Sequence, residues 1–119
     1  KEPLAGAVRH GDDQWADISK WVVNAIIAAE ELGITQANVA ELAAAATDNP
    51  SINRMLGTEG NMGEMVGLDA QWAVRAISAV GNYGESFNRH IGPDTPIGLE
   101  RGLNAQWKDG GILYAAPIR

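Results

Sequence analysis

A chain of 119 residues has the length of one domain, and a domain of that size buries roughly two-thirds of the surface that its unfolded chain exposes. A formal net charge of −6, with nine scattered Lys and Arg, excludes a phosphate-tracking nucleic-acid binder and disfavours docking on anionic lipid. Without cysteine there is neither disulfide nor thiolate chemistry, and no apolar run approaches the roughly 18–20 residues that a membrane-spanning helix needs.

The absence of cysteine suits a reducing cytosol and a disulfide-free periplasmic protein equally. The chain opens at Lys1, without methionine and without a basic-then-apolar leader. That opening leads to the expectation of a processed or excised piece of a longer polypeptide.

In chain order, "KEPLAGAVRHGDD" alternates loosely around Leu4, Ala5, Ala7 and Val8, which predicts one short N-terminal strand over 4–9 and a turn at Gly11. A lone strand needs ladder partners that the rest of the chain scarcely offers. From Asp13 to Leu32 the period becomes helical: Trp15, Ile18, Val22, Ala25, Ile26 and Ala29 form one stripe, and Trp21 and Ile27 widen it. Asp12 or Asp13 can cap this helix, and Gly33 is placed to end it.

An alanine-rich helix is predicted from about Gln36 to Ala46, with Val39, Leu42, Ala43 and Ala46 inward. "DNPSINRMLG" then carries the signals of a short helix, with Asn49 as cap, Pro50 in the first turn and Gly57 past the end. Three glycines in "TEGNMGEMVG" point to a loop or broken turn. Asp69 is placed to cap a long helix over residues 69–92. It runs through Trp72, Ala76, Val80, Tyr83, Phe87 and Ile91, and Gly81 and Gly84 mark where another element approaches. Thr95 and Pro96 start a last helix with Ile97, Leu99, Leu103 and Trp107 inward, and "ILYAAPIR" ends the chain as an extended tail. The fold class is therefore mainly α, about five helices plus the one short strand.

Few residues assemble into a chemical constellation. His90 with Glu85 or Asp94 would be the acid/base pair of a small hydrolase if it faced a pocket. Glu85 and His90 are five residues apart on a helix, about 140° around its axis, and a histidine in a last helical turn also suits the dipole there. His10 with Asp12 and Asp13 could touch a metal, but no second histidine is near and capping accounts for the aspartates. The glycine loop lacks a Gly-Lys-Ser/Thr ending and carries two glutamates, so it is no nucleotide cradle. Met55, Met62 and Met65 read as core fillers rather than a soft binding surface. Ser51, Ser78 and Ser86 lack a nucleophile's glycine-flanked setting. Trp15, Trp21, Trp72 and Trp107 read as core anchors at helical spacing. From the residues, the catalytic, ligand and metal sets are all "none", and no cofactor is expected.

Several stretches together carry a resemblance. "KEPLAGAVRHGDDQWADISKWVVNAIIAAEELGIT" resembles the last strand and following helix of the amino-acid-binding periplasmic proteins that serve ABC importers, the solute-binding family 3. "DNPSINRMLG", "GLDAQWAVRAISAVGNYGESFNRHIGP" and "LERGLNAQWKDGGILYAAPIR" resemble the C-terminal extension of its general L-amino-acid-binding branch. The resemblance covers Lys1 to Arg119. It implies part of the first α/β lobe of a type II periplasmic-binding-protein fold, with residues 1–33 in the common fold and 34–119 a helical C-terminal extension.

The resemblance further implies a periplasmic, non-enzymatic partner of an ABC permease that captures L-amino acids. The ligand residues would then lie in segments preceding Lys1 and in the second lobe, so this chain contributes none. Such a piece on its own is expected to self-associate through orphaned apolar surface, including the strand at 4–9. The alternative to the resemblance, from a different class, is an autonomous helical interaction domain that dimerises through tryptophan-rich faces.

Overall fold

The computed structural model describes residues 4–118, and its regular elements are helices. The Asp12 carboxylate accepts from the Trp15 amide at 3.1 Å and opens the longest of them, α1 (Asp13–Glu31). Gly33 (φ 71°) turns the chain away after it. Helix α2 (Val39–Ala44) is shorter than its alanine content suggested. Thr35 and Asn38 form a turn instead, with the Asn38 carboxamide accepting from the Thr35 amide at 2.7 Å. Helix α3 (Pro50–Leu56) is built as its signals require: Asn49 accepts from the Ser51 amide at 2.9 Å, and Gly57 ends it left-handed. The glycine-rich stretch contains a single helical turn, α4 (Met62–Met65).

The core lies where α1 and α2 meet α5 (Trp72–Val80). Ala25 and Ala29 are one turn apart on α1 and fully buried, so Ile77 and Trp72 of α5 can come close. Ile34, Val39, Met55 and Leu56 complete this apolar centre, and Ile118 of the tail packs into the same cluster. Burying a side chain of that size is worth roughly 1.5–3 kcal/mol, so these few positions dominate what holds the helices together.

The long helix expected over 69–92 is two helices, α5 and α6 (Tyr83–His90). The break is chemical. Gly81 takes φ 78° and ψ −171°, a conformation open to glycine and rarely to others. Asn82 and Glu85 then cap each other's backbone, Asn82 Oδ1 accepting from Glu85 N at 2.9 Å and Glu85 Oε2 from Asn82 N at 2.8 Å. Asp69 accepts from the Gln71 amide at 2.8 Å and so shapes the turn before α5.

Two further expectations are corrected. Residues 4–9 form no strand; they are exposed, and the described residues offer them no ladder to join. The last helix is absent as well. Thr95 Oγ1 accepts from the amides of Ile97 and Gly98 at 3.3 and 3.4 Å, closing a local turn, and the chain continues through two 3₁₀ turns, Gly102–Asn104 and Trp107–Asp109. Consequently Ile97, Leu99, Leu103 and Trp107 are exposed rather than inward. Trp15 and Trp107, expected as core anchors, are both more than half exposed, whereas Trp72 is buried and Trp21 half-buried. The tail from Ile112 is extended, as expected, and pairs once with the loop through an isolated parallel bridge between Gln106 and Leu113.

Candidate functional site

His90 and Asp94 are exposed at the end of α6 and in the turn beyond it. Glu85, their candidate partner, is committed elsewhere. Its carboxylate accepts from the Asn82 amide within its own capping box and from the Gln36 amide at 3.0 Å, which ties α6 to the turn before α2. That carboxylate is a brace between elements, not a base beside an imidazole. Asp12 is occupied as the cap of α1, and the described residues gather no group of three or more metal-ligating side chains.

Two other assemblies stand out. The first is a partly buried network joining α1 to the C-terminal loop. Arg101 grips Glu30 with both nitrogens, at 2.7 and 3.0 Å, while its guanidinium lies 5.4 Å from the Tyr83 ring and 5.3 Å from the Phe87 ring. Gln106, fully buried, donates to the Ile27 carbonyl at 3.0 Å and to Glu30 Oε2 at 3.1 Å. Gly84 makes room for it: a Cβ there would meet Glu30 Oε1 at 2.7 Å and Arg101 Nη1 at 2.8 Å. This network fastens the loop that could not form a helix.

The second is an open groove of about 470 Å³ between the end of α1, α3 and the tail. Its floor is Leu32, Met55 and Ile118, and Tyr114 forms one wall. The tail is held there by α1, because the Ala116 amide donates to Asn24 Oδ1 at 2.8 Å. Trp107 stacks edge-on against Tyr114 at 6.3 Å and donates through Nε1 to Glu31 at 3.2 Å, and Lys108 donates to the Glu31 carbonyl at 2.8 Å. Arg54 also lines the groove. Its Nε is buried, and no oxygen among the described residues accepts from it. Neighbouring polar groups are already used: Asn53 accepts from the Thr47 amide at 2.7 Å and donates to Glu59 at 3.3 Å.

Sequence reasoning singled out neither Arg54 nor Tyr114. Arg54 falls in the last turn of a short helix, where a cation is expected for the dipole alone, and Tyr114 sits in a tail with no periodicity. The groove exists because the tail folds back on α1 and α3, a long-range event without a local signal.

No protein-family model matches the chain. It is 59% identical over its whole length to a glutamate/glutamine/aspartate/asparagine-binding protein of Rhodobacter capsulatus. It is 54% identical, again over its whole length, to a general L-amino acid-binding periplasmic protein of Rhizobium johnstonii. A solved structure of an ABC transporter/periplasmic binding protein from Brucella ovis with glutathione bound superposes at TM-score 0.88 and 52% identity, covering 94% of this chain. The chain spans 35% of the length of each of these three proteins. Over its whole length it is therefore homologous to part of the periplasmic amino-acid-binding proteins of ABC transporters.

Proposed function

We propose that this chain is the C-terminal part of the first lobe of a periplasmic substrate-binding protein that captures L-amino acids and delivers them to an ABC permease. The observation that carries the reading is identity of 54–59% along the entire chain to two amino-acid-binding relatives of which it spans 35%. In this reading the intact protein closes about a hinge on its ligand, with no chemical step. Residues 1–33 complete the common α/β fold, and 34–119 are the helical extension. Residues 4–9 become an edge strand once the sheet of the remaining polypeptide supplies a ladder, which fits their exposure here. This chain contributes scaffold, and the ligand contacts lie in the rest.

The test is a chimaera in which these 119 residues replace the matching segment of the Rhodobacter capsulatus protein, with glutamate titrated by calorimetry. Retained binding, within about tenfold of the parent (about 1.4 kcal/mol), is the expected result. A folded chimaera that binds neither glutamate nor any other L-amino acid overturns the reading.

A second reading, a free-standing helical module that self-associates, is favoured by the exposed apolar side chains of Leu103, Trp107, Ile112 and Tyr114. Light scattering on the chain alone discriminates: a stable oligomer at micromolar concentration supports it, and a monomer removes it.

A further inference from the structure

We propose that the Arg54 groove is a docking site inside the longer protein, filled by a carboxylate-bearing segment of the polypeptide that the relatives have beyond this chain. The inference rests on the reading of this chain as part of a substrate-binding protein, and it adds where the two parts meet and through which chemistry.

Three observations carry it. The Nε of Arg54 is buried and faces no acceptor among the described residues, and a buried donor without a partner is costly enough that native structures rarely keep one. The guanidinium presents a planar fork suited to a carboxylate. The groove around it is open and lined by polar and apolar groups alike, with Leu32, Met55, Ile118 and Tyr114 among the apolar ones and Glu31 and Ser51 among the polar. Finally, the relatives supply an occupant, since this chain accounts for only 35% of their length.

The groove's own charges argue for a protein side chain over a free amino acid. An amino acid brings an ammonium as well as a carboxylate, and both need partners. The groove's acid is Glu31, whose carboxylate is already engaged by Trp107 Nε1 and whose carbonyl is engaged by Lys108. A zwitterion would find the arginine and little for its ammonium. An Asp or Glu side chain on a docking segment, with apolar neighbours to cover the exposed Tyr114, pairs with the Arg54 guanidinium where it lines the groove.

The experiment compares two proteins, the 119-residue chain and the chimaera described above, each with Arg54, Arg54→Met and Arg54→Lys. Amide exchange is read by mass spectrometry on peptides covering Ser51–Leu56 and Tyr114–Ile118, and stability by urea denaturation. Exchange in both segments is expected to slow at least tenfold in the chimaera relative to the chain alone. Arg54→Met should lower the urea midpoint of the chimaera and raise that of the isolated chain, because in the latter it removes a buried donor that has no acceptor. Arg54→Lys, which keeps the charge but not the fork, should fall between.

Equal effects of Arg54→Met in both proteins, or unchanged exchange in the chimaera, overturn the docking site. If glutamate still binds in that case, the substrate-binding reading survives without it. Glutamate that slows exchange in the groove of the isolated chain also overturns docking, in favour of a small-ligand site. A chimaera that neither unfolds cooperatively nor binds glutamate overturns both readings.

Discussion

Asn82 joins α6 to the turn that follows α1. It begins α6 through its capping box and donates to the Ile34 carbonyl at 2.8 Å, while being itself nearly fully buried. Replacing it with alanine removes a cap, typically about 1 kcal/mol, and strands a buried carbonyl, worth about 1–3 kcal/mol more. Asn82→Ala should therefore destabilise by about 2–4 kcal/mol in urea denaturation, far beyond an ordinary surface change. Asp69 shows the opposite case. The Arg75 guanidinium beside it, with the Gln71 amide, holds its carboxyl below the ordinary value of 3.8. A carboxylate with a depressed pKa adds stability that is present above the unfolded value and is lost as pH falls through the lowered one. Asp69→Asn should thus be slightly less stable than the parent at neutral pH and equal to it well below pH 3.8, as read from thermal melts across that range. The pair is solvent-exposed, so the difference should be small and should shrink with salt.

Between elements, the joint of α1, α6 and the C-terminal loop depends on space as much as on charge. Gly84 lets the Glu30–Arg101 pair lie against α6, and both side chains of that pair are about one-fifth exposed. Gly84→Ala brings helix propensity, worth about 1 kcal/mol in isolation, yet forces the pair aside. Net destabilisation is the expected sign in urea denaturation. A double-mutant cycle with Glu30→Gln and Arg101→Met should return a coupling of about 1–2 kcal/mol, because the two groups share a bidentate contact in a partly dry setting. A coupling indistinguishable from zero would show that packing of Arg101 on Tyr83 and Phe87, not the ion pair, holds the loop.

For the whole molecule, the division between buried and exposed apolar residues is the informative feature. Ile77 is fully buried at the meeting point of the helices, and Ile77→Ala should cost about 2–5 kcal/mol, enough to threaten folding of a small domain. Leu103 is two-thirds exposed, so Leu103→Ser should leave the melting temperature within a degree or two (about 0.5 kcal/mol) while raising solubility. A large loss of stability from Leu103→Ser would mean that the C-terminal loop is packed more closely than its exposure indicates. Those exposed side chains, together with Trp15 and Tyr114, leave apolar surface that the chain does not cover with itself. Under the function proposed above, that surface meets the rest of the longer polypeptide.

The sequence by itself determined α1, α3 and the ends of both. Asp12, Gly33, Asn49, Pro50 and Gly57 act within one helical turn of their own position, and each lies where its local chemistry requires. It also carried the kinship, because identity of 54–59% runs the whole length of the chain whatever the residues fold into. The break of residues 69–92 into two helices was written locally, in Gly81 and the Asn82–Glu85 capping box, but periodicity hid it. The tertiary structure fixes it where Asn82 reaches across to Ile34 and Glu85 to Gln36. Only the tertiary structure decided the course of Thr95 to Asp109, where Arg101 and Gln106 hold the chain against α1 in place of a helix. Periodicity placed Ile97, Leu99, Leu103 and Trp107 inward because it records which residues would share a helical face. It cannot record that the segment gains more from two long-range polar anchors than from forming the helix. The groove at Arg54 follows from the same physics: its walls are about sixty residues apart in the chain, and only folding brings them together.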